Sequence, residues 1–547
     1  MAVYEKYLTE IKDAAGTVTD VRYNIPQDFN FGYDCVDTIA KNTPDKRALF
    51  WCNDHGAEKT ITFGDMKKES DKYASYLLSR GIKKGDKVML ILKRHFEYWH
   101  IIVALHKIGA ITIPATNQLQ TKDIVYRLDA ADIKAVVCTP DGNISDLLLE
   151  ASGKAKRTPM LYTVRTKKDG FLLLEEEAAT AAPFEKPADL PTKDDIMLLY
   201  FTSGTTGMPK MVMHNYAYPI PHIATAKYWH KVVPDGLHLT IAETGWAKAA
   251  WGKIYGQWMM EAGIYVYDME RFVPQTVLEN ISKHGVTTLC APPTMYRYFI
   301  KENLASYDLS KITHATIAGE ALNPEVYEQF KDATSLKLME GFGQTETTLQ
   351  VVNTYWMEPK PGSMGRPMLG YDMEILDEDG QPVPVGVNGE ICIKLRETQP
   401  ELFAGYYMDD ERTKNVIKNG CYHTGDIAWR DEDGYYWYVG RNDDIIKSSG
   451  YRIGPFEVES VLMEHAAVME CAVTGVPDPV RGQIVKATIV LAPNFKASDD
   501  LLKEIQNHVK TNTAPYKYPR VIEFVEALPK TISGKIRRVE IRGDEKK

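Results

Sequence analysis

The order of apolar and polar positions predicts that helices and strands alternate along the chain. Residues 65–80 carry apolar side chains at helical spacing and predict a helix that ends at Gly81. Residues 88–92 form an apolar run with the length of a buried strand, and residues 96–107 and 111–113 repeat the helix and the strand. This alternation predicts a layered α/β fold.

A second series of strand-like runs predicts where the chemistry lies. The runs at residues 288–290, 316–318 and 336–339 each end in a polar or glycine-rich turn. Ligands of open α/β sheets bind at the carboxyl ends of the strands. We therefore expect functional side chains in the turns that follow these runs.

Another turn, after the apolar run at residues 196–200, has the composition of a phosphate-binding loop. Small residues let backbone N–H groups approach phosphate oxygens, hydroxyls add donors, and a lysine adds positive charge. The spacing is not that of a Walker A loop, because Pro209 and Met211 stand where that motif needs glycine and then serine or threonine. A polar surface loop is the alternative interpretation. The candidate phosphate-binding residues are Thr202, Ser203, Gly204, Thr205, Thr206, Gly207 and Lys210.

Composition and charge indicate a large soluble enzyme. The chain has 547 residues, of which 44% are hydrophobic and 25% charged, and this is enough for several domains. The net charge is −9 and no long basic block occurs, so nucleic acid and anionic membranes are poor candidates for the main partner.

Two sequence features favour the cytoplasm: terminal segments that do not match targeting signals, and the spacing of the cysteines. The N-terminus lacks an apolar signal core, and the most apolar region, residues 98–115, is interrupted by His100, His106 and Lys107. The carboxyl terminus does not match the peroxisomal SKL ending. The seven cysteines show no CxxC spacing, so their sequence pattern predicts neither a zinc site nor a disulfide framework. We therefore expect a protein of the reducing cytoplasm, with no membrane span.

Six motifs occur in an order that resembles the adenylate-forming enzymes. This superfamily contains acyl-CoA synthetases, luciferase-like enzymes and the adenylation domains of peptide synthetases, and the resemblance spans about residues 30 to 540. Residues 28–37 and 245–258 are most similar to the medium-chain acyl-CoA synthetases. The motifs are TSGTTGMPK from Thr202, AGE from Ala318, GFGQTE from Gly341, YHTGD from Tyr422, GRNDD from Gly440, and residues 529–538.

The resemblance implies a reaction in two halves, with ATP, Mg²⁺ and CoA as cofactor and co-substrates. A carboxylate attacks the α-phosphate of ATP to give acyl-AMP and pyrophosphate, and the thiol of CoA then displaces AMP. In this family residues 202–210 hold the β- and γ-phosphates, which stabilises the leaving pyrophosphate. By the same resemblance Thr345 would contact the α-phosphate, and Glu346 would hold Mg²⁺, which prefers hard oxygen ligands.

The remaining nucleotide contacts are also implied by the family motifs. Asp426 would accept hydrogen bonds from both ribose hydroxyls, because a carboxylate offers two acceptor oxygens. Arg441 and Arg452 resemble arginines near the ribose and phosphates, although isolated arginines are usually solvated. The segment around Gly319 resembles the strand end beside adenine; a plain strand-to-helix turn is the other interpretation. The nucleotide-binding candidates in these motifs are Gly319, Glu320, Ala321, Gly341, Phe342, Gly343, Gln344, Thr345, Asp426, Arg441 and Arg452.

The resemblance also predicts two domains. Residues 1–442 would form a large N-terminal α/β domain of several subdomains, and residues 443–547 a small, mobile α+β lid. Asp443 matches the hinge about which the lid rotates between the half-reactions. Lys535 matches the lysine that bridges the carboxylate and the α-phosphate, although a lysine among basic neighbours is by itself usually solvated. Ser449 and Gly450 would line the CoA tunnel.

Side chains rather than a motif would form the acyl pocket. Gly343 stands where acetate-specialised relatives carry a bulky tryptophan, which suggests room for more than two carbons. The other acyl-pocket candidates are Trp229, Lys248, Trp251 and Cys290, and core packing explains the aromatic ones equally well. Lys248 could cap the pocket or extend to solvent.

We predict an acid–thiol ligase for a short, medium or branched-chain carboxylic acid. An aryl-CoA ligase and an acid-adenylating enzyme with a non-CoA acceptor are the alternatives. A non-catalytic nucleotide-binding protein would be expected to lack Lys535 or Glu346, and a P-loop kinase or ATPase is disfavoured by the loop spacing. The sequence leaves homo-oligomerisation open.

Overall fold

The predicted alternation of helices and strands is present in the structure, a computed structural model that describes residues 2–202, 209–320, 322–449, 451–530 and 536–543. The first predicted helix runs Phe63–Ser79. It begins there because the hydroxyl of Thr62 accepts a hydrogen bond from the N–H of Asp65 at 3.1 Å, and it stops before Gly81, whose φ is +82°. The α-helices are Thr38–Asn42, Phe63–Ser79, Glu97–Lys107, Thr121–Ala130, Ile144–Lys154, Leu174–Ala179, His222–Ala224, Ala247–Gly252, Tyr255–Met259, Pro274–His284, Pro293–Phe299, Pro324–Thr334, Asp410–Val416, Pro455–Met463, Asp499–Asn512 and Arg538–Gly543.

A seven-stranded sheet contains the strand that leads into the phosphate-binding motif. All its neighbouring strands are parallel except the edge strand Lys210–Asn215, which is antiparallel to Ile196–Thr202. The motif therefore connects two adjacent strands at one edge. The order across the sheet is Lys210–Asn215, Ile196–Thr202, Ile111–Pro114, Lys87–Ile91, Ile133–Cys138, Met160–Thr163 and Leu172–Leu173.

A nine-stranded sheet contains the second series of predicted strands. Its central strands are parallel, and Leu338–Gly343 continues through both glycines of its motif before the chain turns back into Leu349–Val352. The order is Arg366–Pro367, Leu349–Val352, Leu338–Gly343, His314–Ala318, Thr288–Ala291, Leu237–Thr240, Gly263–Asp268, Arg47–Asn53 and Glu58–Thr62.

The largest buried cluster joins side chains of these two sheets with helices Phe63–Ser79 and Glu97–Lys107. Every residue of Glu97–Lys107 is buried. Lys107 is buried completely, and its ammonium lies 2.7 Å from a carboxylate oxygen of Asp37 and 2.6 Å from one of Asp71. Paired in this way the charge is tolerated between the layers.

The rest of the chain forms smaller sheets. Leu8–Lys12 and Val18–Tyr23 make an antiparallel hairpin, and a third, antiparallel sheet carries the YHTGD motif. The last sheet has its own buried cluster with helices Pro455–Met463 and Asp499–Asn512. The third sheet comprises Asp372–Leu376, Gly389–Lys394, Cys421–Arg430, Ile417–Lys418 and Tyr436–Arg441; the last comprises Tyr451–Ile453, Ile446–Ser448, Gly482–Leu491, Val468–Asp478 and Val521–Phe524.

Candidate active site

The two large sheets bring Lys210 and Glu346 together. Lys210 begins the edge strand of the seven-stranded sheet, and Glu346 lies in the turn after Leu338–Gly343 of the nine-stranded sheet. The Lys210 ammonium donates to Glu346 Oε1 at 2.6 Å and to the Tyr406 hydroxyl at 2.9 Å, and that hydroxyl donates to the same Oε1 at 2.8 Å. These three side chains form one charged cluster beside the predicted phosphate-binding motif, in which Glu346 and Tyr406 are buried and Lys210 is partly exposed.

The cluster keeps Glu346 ionised. Burial acts to raise the pKa of this carboxyl, but Lys210 and the Tyr406 hydroxyl outweigh it, and the pKa lies below its ordinary value. Both hydrogen bonds fall on Oε1. An ionised oxygen donor that is only 5% exposed fits a magnesium ion, which usually shares its shell with phosphates and water.

A buried histidine fixes the backbone of Thr345. His214, on the edge strand that Lys210 begins, donates from Nε2 to the Thr345 carbonyl at 2.7 Å. Burial lowers the pKa of His214 to about 4, so the ring is neutral at physiological pH. The Glu346 carbonyl accepts from the N–H of Phe403 at 2.7 Å. The turn that carries Thr345 and Glu346 is therefore fixed on both sides.

A second polar cluster surrounds Asp426, which is 3% exposed. Gln344 Nε2 donates to Asp426 Oδ2 at 2.5 Å, and Arg441 Nη1 approaches the same oxygen at 3.3 Å. The Tyr438 hydroxyl donates to Oδ1 at 3.2 Å, and Tyr422 donates to Gln344 Oε1 at 2.6 Å. Because Gln344 directly precedes Thr345, one short turn connects this cluster to the Glu346 cluster.

The structure places Arg452 away from this second cluster. Its guanidinium pairs with Glu378, and its side chain is 48% exposed. Asp443 lies two residues after Arg441, and its carbonyl accepts from Arg542 Nη1 at 3.1 Å. The Ser449 N–H donates to the Arg481 carbonyl at 2.9 Å.

The acyl-pocket candidates converge on Leu338–Gly343 and its neighbour. A Cβ on Gly341 would lie 2.7 Å from the Trp229 indole, and a Cβ on Gly343 would lie 3.2 Å from Cη2 of Trp251. Both indoles are buried; Trp229 fills the space beside Gly341, whereas Gly343 is enclosed by the Thr348 carbonyl, at 2.7 Å from such a Cβ, as well as by Trp251. Lys248 Nζ donates to the Ala318 carbonyl at 2.7 Å.

The structure also describes three further candidates, whereas several others lie outside the described residues. Cys290 is buried in Thr288–Ala291, Gly319 has a φ of +114°, and the Glu320 carboxylate lies 3.8 Å from Arg297 Nη2. The candidates outside the described residues are Ser203, Gly204, Thr205, Thr206, Gly207, Ala321, Gly450 and Lys535.

Sequence reasoning missed Tyr406, His214, Tyr422 and Tyr438. Tyr406 and His214 are far in sequence from the residues that they contact, and only the packing of distant segments brings them together. Tyr422 was the exception that the sequence could have supplied, because it begins the YHTGD motif.

Replacing Lys210 with methionine is expected to reverse the effect of Glu346 on the pH dependence of the free energy of unfolding. In the wild type the pKa of Glu346 is lower in the folded than in the unfolded state. Its ionised carboxylate therefore stabilises the fold at pH values above the unfolded-state pKa, and this stability is lost as the pH falls through the folded-state pKa. Without Lys210, burial dominates and raises the Glu346 pKa, so the variant loses stability as the pH rises. We expect a loss of about 1–3 kcal/mol at pH 7 that shrinks towards pH 4.5, measured by denaturant unfolding. The Lys210→Met/Glu346→Gln double variant should recover much of the loss, and a deficit independent of pH would contradict this account.

Sequence comparison assigns the chain to a family. The family described as AMP-binding enzyme matches residues 36–407, and the AMP-binding enzyme C-terminal domain matches residues 457–535. The chain belongs to the AMP-binding enzyme family.

Individual relatives agree with this family. The mouse (Mus musculus) acyl-coenzyme A synthetase ACSM3, mitochondrial, is 39% identical over 96% of this chain and 92% of its own length. The human (Homo sapiens) acyl-coenzyme A synthetase ACSM4, mitochondrial, is 40% identical over 95% of this chain and 91% of its own. A solved anthranilate CoA ligase, AuaEII, in complex with anthranoyl-AMP, superposes with a TM-score of 0.86 and 27% identity, covering 95% of this chain and 98% of the other. The predicted superfamily, α/β fold class and class of enzyme are confirmed.

The prediction of a cytoplasmic location is wrong. The mouse and human relatives are both named mitochondrial. Unpaired cysteines and an ordinary composition are shared by enzymes of several reducing compartments, so these features did not discriminate. Among the described residues, no helix is both long and apolar enough to cross a bilayer.

Proposed function

We propose that the protein is an ATP-dependent acyl-CoA synthetase. It converts a short, medium or branched-chain carboxylic acid to acyl-AMP and pyrophosphate, and then to acyl-CoA and AMP. The observation that carries the proposal is that residues 344–346 join two polar clusters. One contains the Glu346 carboxylate with Lys210, and the other contains the buried Asp426 carboxylate with Arg441. A nucleotide needs such groups at its phosphates and at its ribose.

Each described side chain has a role in this proposal. Lys210 binds the phosphates of ATP and leaves Glu346, which would hold Mg²⁺. When bound, the ion neutralises charge on the phosphates during adenylation. Asp426 accepts the ribose hydroxyls, and the positively charged Arg441 lies 3.3 Å from one of its carboxylate oxygens. His214 holds the Thr345 backbone so that its side chain faces the α-phosphate.

The acid pocket is proposed to lie beside Gly343, with Trp251 as one wall. Because the buried Trp251 indole and the Thr348 carbonyl both lie close to Gly343, the pocket suits short or branched chains better than long linear ones. An aryl acid is the second candidate, and it is favoured by the similarity to a solved anthranilate CoA ligase.

Product analysis across a panel of acids tests the proposal. Purified protein is incubated with ATP, Mg²⁺ and CoA, and with linear, branched or aromatic acids. We expect AMP and thioester in equal amounts. Formation of ADP would contradict the proposal, and AMP without thioester would indicate an acceptor other than CoA.

Replacing Trp251 with alanine is expected to shift the preference towards longer linear acids. Each methylene that the enlarged pocket accommodates changes transition-state binding by about 1–3 kcal/mol, so the ratio of kcat/KM for a longer acid over a short one should rise at least about tenfold. Trp251→Phe should give a smaller shift. This ratio of kcat/KM values does not depend on the fraction of enzyme that is active. An unchanged ratio in Trp251→Ala would show that the acyl chain does not bind beside Trp251.

A further inference from the structure

Three potential metal ligands meet on one face of the third sheet, next to the YHTGD motif. Cys392 lies directly opposite His423 in the pairing of Gly389–Lys394 with Cys421–Arg430. The register then shifts: Glu390 pairs with Ile427, so the Cys421–Arg430 strand bulges between the two pairs. The thiol, the imidazole Nδ1 and a carboxylate oxygen all lie within 4.8 Å of one another.

The distances are close to those of a tetrahedral zinc site. Bond lengths of about 2.3 Å for Zn–S and about 2.1 Å for Zn–N and Zn–O place the donor atoms of such a site about 3.4–3.6 Å apart. Cys392 Sγ lies 3.5 Å from His423 Nδ1, and Glu390 Oε2 lies 2.9 Å from the same nitrogen. The Glu390–His423 donor pair is therefore about 0.5 Å shorter than in such a site, and the Cys392 and Glu390 donor atoms lie within 4.8 Å of each other.

A neighbouring contact already orients the glutamate. Its other oxygen, Oε1, accepts from the N–H of Gly425 at 2.8 Å, so Oε2 can bind an ion without breaking that bond. Cys392 is fully buried, whereas the side chains of His423 and Glu390 are 15% and 24% exposed. Solvent thus reaches the cluster from the side of the histidine and glutamate, and water can supply a fourth ligand.

We propose that Glu390, Cys392 and His423 bind a thiophilic divalent cation of the Zn²⁺ class. Thiolate and imidazole select such an ion over Mg²⁺, which prefers oxygen ligands only. This site is separate from the magnesium proposed at Glu346, and it does not depend on the proposed acyl-CoA synthesis. The S–H bond of Cys392 breaks as the S–Zn bond forms, and its proton leaves to solvent. The N–H bond of His423 Nδ1 breaks as the N–Zn bond forms; that proton also passes to solvent, and a neutral ring takes a proton back at Nε2.

Bound metal would connect Gly389–Lys394 to the bulge that carries Asp426. The bulge contains Thr424, whose hydroxyl donates to the Ile391 carbonyl at 2.8 Å, and Gly425, whose φ is +72°. An ion that binds only the folded state stabilises it by mass action. Zn²⁺ should therefore raise the melting temperature of the wild type.

Metal titration of the full chain tests the site. Protein freed of metal with a chelator is dialysed against Zn²⁺ for stoichiometry and affinity, and titrated with Co²⁺ to record the thiolate-to-cobalt absorption band. We expect one strongly bound ion per chain, a thiolate band and a higher melting temperature. Absence of a stoichiometric ion, or a bound Co²⁺ without the thiolate band, overturns the proposal.

Matched variants assign the ligands. Cys392→Ala and His423→Gln should weaken Zn²⁺ binding at least about tenfold, and Cys392→Ala should abolish the band. Cys138→Ala is the control, because Cys138 is equally buried but lies in the seven-stranded sheet. Glu390→Gln keeps the acceptor for Gly425 and removes the anionic ligand, so it tests the site even if Cys392→Ala fails to fold. Unchanged affinity in Cys392→Ala or, failing that variant, in Glu390→Gln overturns the proposal.

Discussion

Lys535→Ala is expected to lower acyl-AMP formation by about a hundred- to a thousandfold while leaving thioester formation from supplied acyl-AMP nearly unchanged. Lys535 lies outside the described residues, and its role is proposed from the PKTISGKIRR motif. In adenylation the ammonium would bridge the attacking carboxylate and the α-phosphate, where negative charge develops. Acyl-AMP already contains the bond that this bridge helps to form, so the second half-reaction does not need it.

The two half-reactions are measured separately for this variant. Adenylation is followed by acid-dependent pyrophosphate release, and thioester formation by CoA consumption with synthetic acyl-AMP. Lys530→Ala is the matched control, because Lys530 is a neighbouring lysine whose ammonium pairs with Glu470 at 2.8 Å. Equal losses in both half-reactions would rule out the bridging role of Lys535.

Asp443→Pro is expected to leave one half-reaction nearly intact and to slow the other by at least about a hundredfold, because small misplacements of catalytic groups have effects of this size. Proline fixes φ, and the proposed rotation of the lid, residues 443–547, needs backbone dihedral change at the hinge. In the structure the Asp443 carbonyl accepts from Arg542, and Asp444 pairs with the same guanidinium at 2.6 Å. These contacts link the hinge to the last helix of the proposed lid.

Asp443→Ala separates the effect of restricting the φ dihedral from the effect of removing the Asp443 side chain. Alanine removes the carboxylate, which lies 3.8 Å from Arg441 Nε, but leaves φ free. We expect Asp443→Ala to retain both half-reactions within a few-fold of each other. Overall turnover of Asp443→Pro equal to that of the wild type would disprove the hinge.

Local patterns predicted the elements of the fold and the turns that carry the site. The run at residues 336–339 indicated a strand, and the structure extends it to Leu338–Gly343, because glycines at its end weaken the apolar pattern without breaking the pairing. Glu346 was predicted from its motif, and the structure adds that it is buried with Lys210.

The contacts between distant segments could not be read from the sequence. Tyr406 and His214 reach the site only because segments distant in sequence pack together, and neither has a local signature. Trp251 was an acyl-pocket candidate, but its packing against Gly343 depends on the path of helix Ala247–Gly252. Arg452 was predicted near the nucleotide by resemblance to a family arginine, and in the structure it pairs with Glu378, a contact that the sequence did not indicate. The Glu390, Cys392 and His423 cluster is likewise formed by strand pairing and has no characteristic spacing along the chain.

Acid-dependent exchange of labelled pyrophosphate into ATP, without CoA, tests the central claim most directly. Reversible formation of acyl-AMP at the Lys210, Glu346 and Asp426 clusters predicts exchange that requires both Mg²⁺ and an acid which the enzyme also converts to thioester. Thioester formation from such an acid without any exchange, or with ADP as the product, would contradict the adenylate mechanism.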